Sequence, residues 1–324
     1  MTTTRRGLLG AATATLLAPA LATAQAWSPE RPVRILVPYT PGAINDLLAR
    51  FVAEGMQGQF GQQGVVENRP GASGSLAIAA TAQAAPDGLT IVVANTANLT
   101  MNPFLFANTG YDPTKDVAPL CVVARVMNAL VVRPDGPRDV QALIAQAKAQ
   151  PGRLSYASSG AGSSPHLAAE LLKHRTGTDI THVPYRGSAP GLADLMGGRV
   201  DMAIDNLPNT LPHVQSGRLR ALAVTGGERD PTMPDVPTFA EAGIRDVEVY
   251  VWFGFVGPAG LPAPVRNRLS EAIIRIAGTP ETAERIRRAG ATVWTQDQQQ
   301  MAALIRADLE KWGTVIRAAG IKVE

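Results

Sequence analysis

Residues 31–51 read RPVRILVPYTPGAINDLLARF and contain a strand, a turn and a helix in succession. The apolar run 33–37 is bounded by prolines, which is typical of a short buried strand. The turn YTPGA follows, and from Ile44 onward apolar residues recur at helical spacing. A strand that leads through a short turn into an amphipathic helix is the repeating unit of a parallel sheet covered by helices. This stretch therefore predicts an α/β fold.

The same alternation continues along the chain in two blocks. Strands are predicted at 65–66 and 89–94 in the first block, and at 154–157 and 181–183 in the second. The last predicted helix, 299–318, carries an apolar stripe that indicates core packing and not a cofactor site. Because the chain has 324 residues and a domain takes about 100–200, we predict two α/β lobes.

The boundary between the lobes is predicted from composition. Residues 226–238 are rich in Pro, Gly and Asp, which indicates a linker that returns the chain to the first lobe. We therefore expect residues 27–124 and 226–324 to form the first lobe. Residues 125–225 would form the second lobe.

The N-terminal 26 residues predict an export signal that is removed from the mature protein. Arg5 and Arg6 precede an Ala- and Leu-rich stretch that ends at Leu21. The triplet Ala24-Gln25-Ala26 has the small residues that signal peptidase recognises, so we expect cleavage before Trp27. The arginine pair is compatible with the general secretory route and with the twin-arginine route, and the sequence leaves both open.

Charge and cysteine content exclude several classes of partner. Loss of Arg5 and Arg6 leaves 28 of the 30 basic residues against 27 acidic ones, and no basic stretch suggests a nucleic-acid groove. Cys121 is the only cysteine and lies in an apolar run, so we expect a buried thiol and no intramolecular disulfide. The sequence lacks a phosphate-loop lysine motif, a dinucleotide fingerprint and a zinc-type histidine pair, and we expect neither cofactor nor metal.

Four loops rich in Gly, Ser and Pro give the main indication of a binding site. Each follows a predicted strand and opens a helix, at residues 39–43, 70–75, 158–164 and 185–190. A helix start offers unpaired N–H groups, and glycine lets the backbone approach a ligand, so such a loop can hold an anion. Any one of these loops, taken alone, is better explained as a helix cap. Four of them at the strand ends of an α/β sheet favour a cleft.

Side chains near these loops leave alternatives open. Ser163 and His166 would be the nucleophile and base of a secreted hydrolase, although bonds to nearby backbone explain His166 as well. Asp205 ends a predicted strand and is either a specificity group or part of a turn. Arg186 would pair with a ligand carboxylate or form a structural salt bridge. A third alternative is a protein that binds only other proteins.

Several longer segments occur in an order that resembles one protein family. They are RPVRILVPY at 31–39, VENRPGA at 66–72, YASSG at 156–160, HVPYRG at 182–187 and GRLRALAVT at 217–225. On these segments the chain resembles, over essentially its whole mature length, the Bug-type periplasmic receptors of tripartite tricarboxylate transporters. The resemblance implies a type II periplasmic binding protein fold, with two lobes of central sheets flanked by helices and a ligand cleft between them.

The resemblance also implies which residues bind the ligand. In this family a carboxylate is held by backbone groups and ordered waters between the first loop and the serine-rich loop of the other lobe. Ala43 stands where the first loop of the family has its second glycine, and its methyl group would narrow the cleft or exclude a positive φ angle. The expected ligand-binding residues are Tyr39, Pro41, Gly42, Ala43, Asp46, Ser158, Ser159, Gly160, His166, Arg186, Gly187 and Asp205.

Partners and location follow from the same resemblance. We expect a periplasmic monomer, not an enzyme, that captures a small carboxylate and passes it to membrane permease subunits or to a sensor kinase. The closed pair of lobes would be the state that the partner recognises. Because water-mediated backbone contacts leave few side chains to decode, the sequence does not name the carboxylate.

Overall fold

The computed structural model describes residues 27–185, 187–318 and 320–321. The predicted export signal at 1–26 and the candidate ligand residue Arg186 therefore lie outside the described residues. The strands are β1 Arg34–Val37, β2 Val65–Asn68, β3 Thr90–Asn95, β4 Val117–Val132, β5 Ser155–Ser158, β6 Thr181–Pro184, β7 Met202–Asn206, β8 Arg220–Val224, β9 Tyr250–Pro258 and β10 Thr292–Gln296.

Helices connect most of these strands. They are α1 Ile44–Phe60, α2 Ser75–Ala82, α3 Asn102–Leu105, α4 Val140–Ala149, α5 Ser164–Thr176, α6 Ser188–Met196, α7 Leu207–Gln215, α8 Ala263–Ala277, α9 Pro280–Arg288 and α10 Gln298–Ala318. A single 3-10 turn, Ala72–Gly74, precedes α2, and a π-helical turn, Ala97–Met101, precedes α3. Across the described ranges, none of the helices has both the length and the apolar character that a membrane crossing requires.

The sheet of the first lobe contains both parallel and antiparallel strands. Its order is β2-β1-β3-β9-β4, and β10 also pairs with β4. β1 is parallel to β2 and β3, whereas β9 is antiparallel to β3 and β4. The three parallel strands end at Val37, Asn68 and Asn95, so their following loops emerge at one edge of the sheet.

The sheet of the second lobe repeats this arrangement. Its order is β4-β7-β5-β6, and β8 also pairs with β4. β5 is parallel to β6 and β7, whereas β4 is antiparallel to β7 and β8. The parallel strands end at Ser158, Pro184 and Asn206, which brings the loops after them to one edge. The α/β fold predicted from the alternation of elements is confirmed.

Strand β4 belongs to both sheets. Of its 16 residues, those from Val117 to Met127 pair with β9, and those from Asn128 to Val132 pair with β7. Register shifts against β9 near Pro119 and Val122 are β-bulges, which bend a strand and increase its twist. The lobes are therefore joined through one continuous strand.

Each lobe has apolar cores on both faces of its sheet. In the first lobe, Phe253 packs with α1 and α8 on one face, and its neighbour Trp252 packs with α2 and α10 on the other. In the second lobe, Leu130 packs with α4 and α5, and its neighbour Val131 packs with α6 and α7. Cys121 is fully buried, and burial raises the pKa of its thiol, which keeps the group unreactive.

The packing of residues 226–249 differs from the expectation that they return the chain to the first lobe. Phe239, Val247 and Val249 are buried in the second-lobe core beside α4 and α5. The chain re-enters the first-lobe sheet only at β9. Pro and Gly indicate turns, but they do not indicate which core the apolar residues between them join. We propose that the second lobe extends to about residue 249.

Helix α10 packs on both lobes. Met301 and Ile305, near its start, lie in a first-lobe core. Trp312 and Ile316, near its end, lie in a second-lobe core. The expected apolar stripe is therefore core packing, as predicted, but it is divided between the two lobes.

The closest approach between β9 and β4 gives a test of this packing. A Cβ atom at Gly254 would lie 2.5 Å from the carbonyl oxygen of Cys121 and 3.0 Å from Cε of Met301. We expect Gly254→Ala to lower the free energy of unfolding by about 1–3 kcal/mol, because the backbone of β4 must move. Urea denaturation followed by circular dichroism measures this change.

A matched control is Gly58→Ala in α1. Gly58 is exposed, and nothing lies within 4 Å of a Cβ atom built there. Because alanine favours the helix, this variant is expected to be more stable by about 0.5–1 kcal/mol. Equal stability of Gly254→Ala and the unmodified protein would contradict the tight approach of β9 to β4.

Candidate functional site

Two loops emerge at the carboxyl ends of parallel strands, one in each lobe. The first loop, residues 38–43, connects β1 to α1, and the serine loop, residues 159–163, connects β5 to α5. In α/β proteins these strand ends border the cleft in which ligands bind. Pro41 and Gly42 are exposed, whereas Ser159 and Gly160 are half-buried.

The start of α1 has no side-chain cap. Its N-cap residue is Ala43, whose methyl group has no oxygen to offer to the first N–H groups of the helix. Ala43 has φ −68°, and the positive φ of the loop, +88°, falls on Gly42. The methyl group of Ala43 is therefore compatible with the backbone, and the first turn of α1 keeps its N–H groups for another acceptor.

Asp46, in the first turn of α1, holds the first loop in place. Its carboxylate is 2% exposed and accepts a hydrogen bond of 2.9 Å from the N–H of Gly42. Arg50 donates two bonds of 3.0 Å to it, and Asn68 donates one of 2.9 Å. Burial alone raises the pKa of Asp46, but these donors outweigh it, so the pKa lies below its ordinary value. These contacts favour a positioning role for Asp46 over contact with a ligand.

Tyr39 lies in a network of buried amides. Its hydroxyl oxygen accepts hydrogen bonds from Nδ2 of Asn95, at 3.2 Å, and from Nδ2 of Asn98, at 3.1 Å. Asn98 also donates to the carbonyl oxygen of Ser73. Burial raises the pKa of Tyr39, so the phenol keeps its proton.

The serine loop, in contrast, satisfies most of its own polar groups. The N–H of Gly160 donates to Oγ of Ser158, and the N–H of Gly162 donates to Nδ1 of His166. Ser163 caps α5, because its Oγ accepts from the N–H of His166 at 3.4 Å. The serine loop therefore offers fewer unpaired N–H groups to a ligand than the sequence pattern predicted.

Three rings stack beneath the serine loop. His166 and His182 lie parallel, with ring centroids 3.9 Å apart, and Tyr156 stacks on His182 at 4.8 Å. Nε2 of His182 lies 2.6 Å from Oγ of Ser158. Tyr156 and Lys173 both donate to the nearly buried carboxylate of Glu170.

Both imidazoles are held in the neutral form. Burial, the neighbouring His182 and Lys173 lower the pKa of His166 to about 3. Burial and Lys173 lower the pKa of His182 to about 4, although Glu170 acts in the opposite direction. A protonated His166 would no longer accept the N–H of Gly162, so the shape of the serine loop depends on neutral rings.

The geometry does not support a hydrolase built on Ser163 and His166. Oγ of Ser163 donates to the carbonyl oxygen of Gly160 at 2.7 Å, and Nδ1 of His166 accepts from the N–H of Gly162. The imidazole is thus not placed to accept the serine proton, which a nucleophile–base pair requires. Both side chains are explained by loop and cap formation.

A third group of polar residues surrounds Asp205, which is buried. Its Oδ1 accepts from Ser188, Asn209 and the N–H of Asn206. Burial raises the pKa of Asp205, although these donors lower it in part. Gly187 is half-buried, and its N–H donates to the carbonyl oxygen of Ser159, which links this group to the serine loop.

Sequence reasoning missed four side chains that hold these loops. Asn95 is the last residue of β3 and Asn98 follows it, so the rule applied to the other strand ends would have found both. His182, which lies in a segment used only for the resemblance, is bonded to Ser158. Asn68, within a segment used only for the resemblance, bonds both Asp46 and the carbonyl oxygen of Tyr39.

The neutral imidazoles predict how stability depends on pH. The ordinary pKa of histidine is 6.5, and the folded pKa of His166 is about 3, so the unfolded chain binds a proton first. The neutral His166 contributes fully to the free energy of unfolding above pH 6.5. This contribution decreases as the pH falls towards the pKa of His166 in the folded protein. In His166→Asn the Oδ1 atom can replace Nδ1 as acceptor, but the side chain does not titrate. We expect the free energy of unfolding of this variant to decrease by about 1 kcal/mol less per pH unit, between pH 6 and 4, than that of the unmodified protein.

Urea unfolding at a series of pH values measures these slopes. His174→Asn is the control, because His174 is exposed at the end of α5 and should leave the slope unchanged. Identical slopes for His166→Asn and the unmodified protein would show that His166 is not held neutral by the fold.

Comparison with known proteins is consistent with this fold. A family profile described as "Tripartite tricarboxylate transporter family receptor" matches residues 48–321. BugT of Bordetella pertussis is 36% identical over 298 residues, which cover 91% of either chain.

Solved structures agree with the same assignment. The R. palustris protein Rpa4515, solved with adipate, is 37% identical, with a TM-score of 0.78, and the match covers 91% of this chain and 99% of that one. MatC from Rhodopseudomonas palustris, solved with bound malate, is 31% identical, with a TM-score of 0.74 and coverage of 89% and 99%. The expected resemblance is confirmed. The chain belongs to the receptors of the tripartite tricarboxylate transporter family, which are periplasmic solute-binding proteins of the Bug and TctC type and not enzymes.

Proposed function

We propose that the protein captures a small organic carboxylate in the cleft between its lobes and delivers it to membrane permease subunits or to a sensor kinase. The observation that carries this proposal is the uncapped start of α1 beside a loop that Asp46 holds in place. Related receptors have been solved with adipate and with malate, which supports a carboxylate as the ligand class.

The start of α1 supplies the first set of donors. The N–H groups of the first helical turn have no side-chain cap, and the helix dipole adds a partial positive charge there. Each bond from such a group to a carboxylate contributes about 1.5–3 kcal/mol. Three of them would cover the roughly 8 kcal/mol of a micromolar complex, before the cost of closing the lobes.

The proton of Tyr39 supplies a further donor. Oδ1 of Asn95 accepts from the N–H of Asn98, and Oδ1 of Asn98 accepts from the N–H of Asn95. Both amides must therefore turn their NH₂ groups towards the hydroxyl oxygen of Tyr39, which accepts from each. Neither amide can accept the hydroxyl proton, so Tyr39 is prepared to donate it to the ligand.

The second lobe would close the cleft with the serine loop and the residues around Asp205. The hydrogen bonds of Ser158, Gly160 and His166 support a preformed loop, and those of Asp205 support a fixed start of α6. The proposed ligand-binding set is that predicted from the sequence, with Asp46 in a positioning role. The first lobe would contribute Tyr39, Pro41, Gly42 and Ala43 to the cleft. The second lobe would contribute Ser158, Ser159, Gly160, His166, Arg186, Gly187 and Asp205.

The partners and the oligomeric state belong to the same proposal. The closed protein would act as a monomer, and the surface formed when both lobes move together would be what a permease or sensor recognises. Support comes from β4 and α10, since both elements contact the two lobes and would change their packing on closure.

We expect malate, adipate or a related small carboxylate to raise the melting temperature of the protein through a single site. Tyr39→Phe is expected to weaken that binding about tenfold or more, because the ligand loses a hydrogen bond to its charged group. Thermal shift identifies the ligand from a panel of mono- and dicarboxylates, and calorimetry measures the affinity.

Two controls accompany this experiment. Dimethyl adipate has the chain length of adipate without its charge and should not bind. Thr81→Val also removes a hydroxyl, here one that donates to the carbonyl oxygen of Ala77 within α2 and outside the two loops, and should keep the affinity. A folded protein that responds to no carboxylate, or to the ester equally well, would refute capture of an anion and favour a purely protein-binding role.

Export and cleavage before Trp27 complete the proposal. The ring of Trp27 packs edge-to-face on Phe60 with centroids 6.0 Å apart, so the packed part of the chain includes the first residue of the proposed mature protein. We expect the intact mass of the periplasmic protein to correspond to a chain that begins at Trp27. A mass that retains residues 1–26, or a different first residue, would contradict the proposed cleavage site.

A further inference from the structure

A cavity of ≈ 370 Å³ lies where the two lobes join. Arg125 of β4, Tyr250 and Trp252 of β9, and Lys311 and Trp312 of α10 are among its walls, and we call it the hinge cavity. None of the residues that line it belongs to the first loop or to the serine loop. The site already described therefore does not account for it.

The hinge cavity contacts both lobes at once. It lies against the middle of α10, between Ile305, which packs in a first-lobe core, and Trp312, which packs in a second-lobe core. On the sheet side it lies at the start of β9, where Tyr250 pairs with Met127 just before β4 enters the second lobe. A molecule in this cavity would touch the elements whose packing changes when the lobes move.

The walls are aromatic to an unusual degree for this chain. Three of its four tryptophans, Trp252, Trp294 and Trp312, line the hinge cavity together with Tyr250. Aromatic walls offer flat, polarisable surfaces on which a planar ligand stacks with ring centroids about 4.5–7 Å apart. The fourth tryptophan, Trp27, packs on Phe60 in the first lobe.

Polar donors accompany these rings. The guanidinium of Arg125 lies 4.2 Å from the centroid of the Tyr250 ring, and its ion pair is with Glu228, which is 73% exposed. Lys311 is half-buried and donates to the carbonyl oxygen of Glu248. The indole N–H of Trp312 is buried and has no acceptor within the described part of the chain.

Two acidic side chains, Asp308 and Glu248, also belong to the lining. Asp308 accepts a bond of 2.7 Å from the indole N–H of Trp252, and burial raises the pKa of its carboxyl. Glu248 is exposed, so solvent screens its charge. Burial lowers the pKa of Lys311, although Asp308 and Glu248 act in the opposite direction. Arg125 is therefore the main cation of the cavity, and Lys311 and the indole N–H of Trp312 are further donors for an anion.

We propose that the hinge cavity is a second ligand site, which binds a small aromatic carboxylate. The ring stacks on Trp294 and Tyr250, which are half-buried, whereas Trp252 and Trp312 are each only 1% exposed. The carboxylate lies against Arg125 and Lys311. Because the aromatic carboxylate contacts both lobes, it binds the open and closed arrangements of the lobes with different affinity. Binding in the hinge cavity therefore changes the affinity of the interlobe cleft for its own ligand. By linkage, the cleft ligand changes the affinity of the hinge cavity by the same factor.

Benzoate tests the proposal in the full mature protein labelled with fluorotryptophan. Fluorine NMR gives one resonance for each tryptophan. We expect benzoate to shift the resonances of Trp252, Trp294 and Trp312 in a saturable manner and to leave that of Trp27 in place. Arg125→Gln is expected to weaken this binding about tenfold or more. Arg34→Gln, which removes another arginine paired with a glutamate, should have no effect.

A variant with an altered cleft separates this site from the proposed function. Gly160 has φ +132°, so Gly160→Val strains the serine loop without touching the hinge cavity. Benzoate shifts that persist in Gly160→Val support the second site, whether or not any carboxylate binds the cleft. Shifts that vanish in Gly160→Val, that include Trp27 equally, or that survive unchanged in Arg125→Gln would overturn it. So would the absence of saturable shifts at millimolar benzoate.

Discussion

The buried carboxylate of Asp46 holds the geometry on which the first lobe depends. It ties the N–H of Gly42 to the first turn of α1, and its bond with Asn68 adds the end of β2. Arg50, whose side chain is 47% exposed, balances the charge of the buried carboxylate, so the negative group does not repel an anion that approaches the helix. With the loop held in this way, Ala43 enters α1 without a capping oxygen, and the helix start stays open to a ligand.

The two lobes prepare for a ligand differently. In the first lobe, donors remain unpaired at the start of α1 and on the hydroxyl of Tyr39. In the second lobe, the amides of Gly160 and Gly162 are already bonded to Ser158 and His166, which makes the serine loop a preformed wall. A wall that is ordered before binding lowers the entropy lost on closure, so the donors of the first lobe need to contribute less.

Much of the fold was predictable, because local patterns report local structure. The run at 33–37 became β1, and the apolar stripe at 299–318 became α10 with a shift of one residue at its start. The position of Phe239 and Val249 in the second-lobe core was not predictable, because that depends on contacts across more than a hundred residues. The same limit hid the partners of Tyr39, since Asn95 lies 56 residues away along the chain.

For the candidate site, residue types at strand ends indicated the right loops but not the role of each side chain. Asp46 lies in the first turn of α1, directly after the predicted loop, yet its partners Gly42 and Arg50 occupy its oxygens. His166 was considered as a base, and only the three-dimensional structure shows its Nδ1 bonded to Gly162. A sequence pattern can place a side chain near a cleft, but only the folded structure determines which of its donors and acceptors remain unpaired.

The sharing of strand β4 between the two sheets has a consequence for how the protein responds to proteolysis. Because its first part completes one sheet and its last part completes the other, a lobe separated from its neighbour would expose an unsatisfied strand edge. Such edges recruit other chains, so a proteolytic fragment of this receptor would tend to aggregate. In the intact chain both parts of β4 are paired, so the stability of each lobe depends on the strand that it shares with the other.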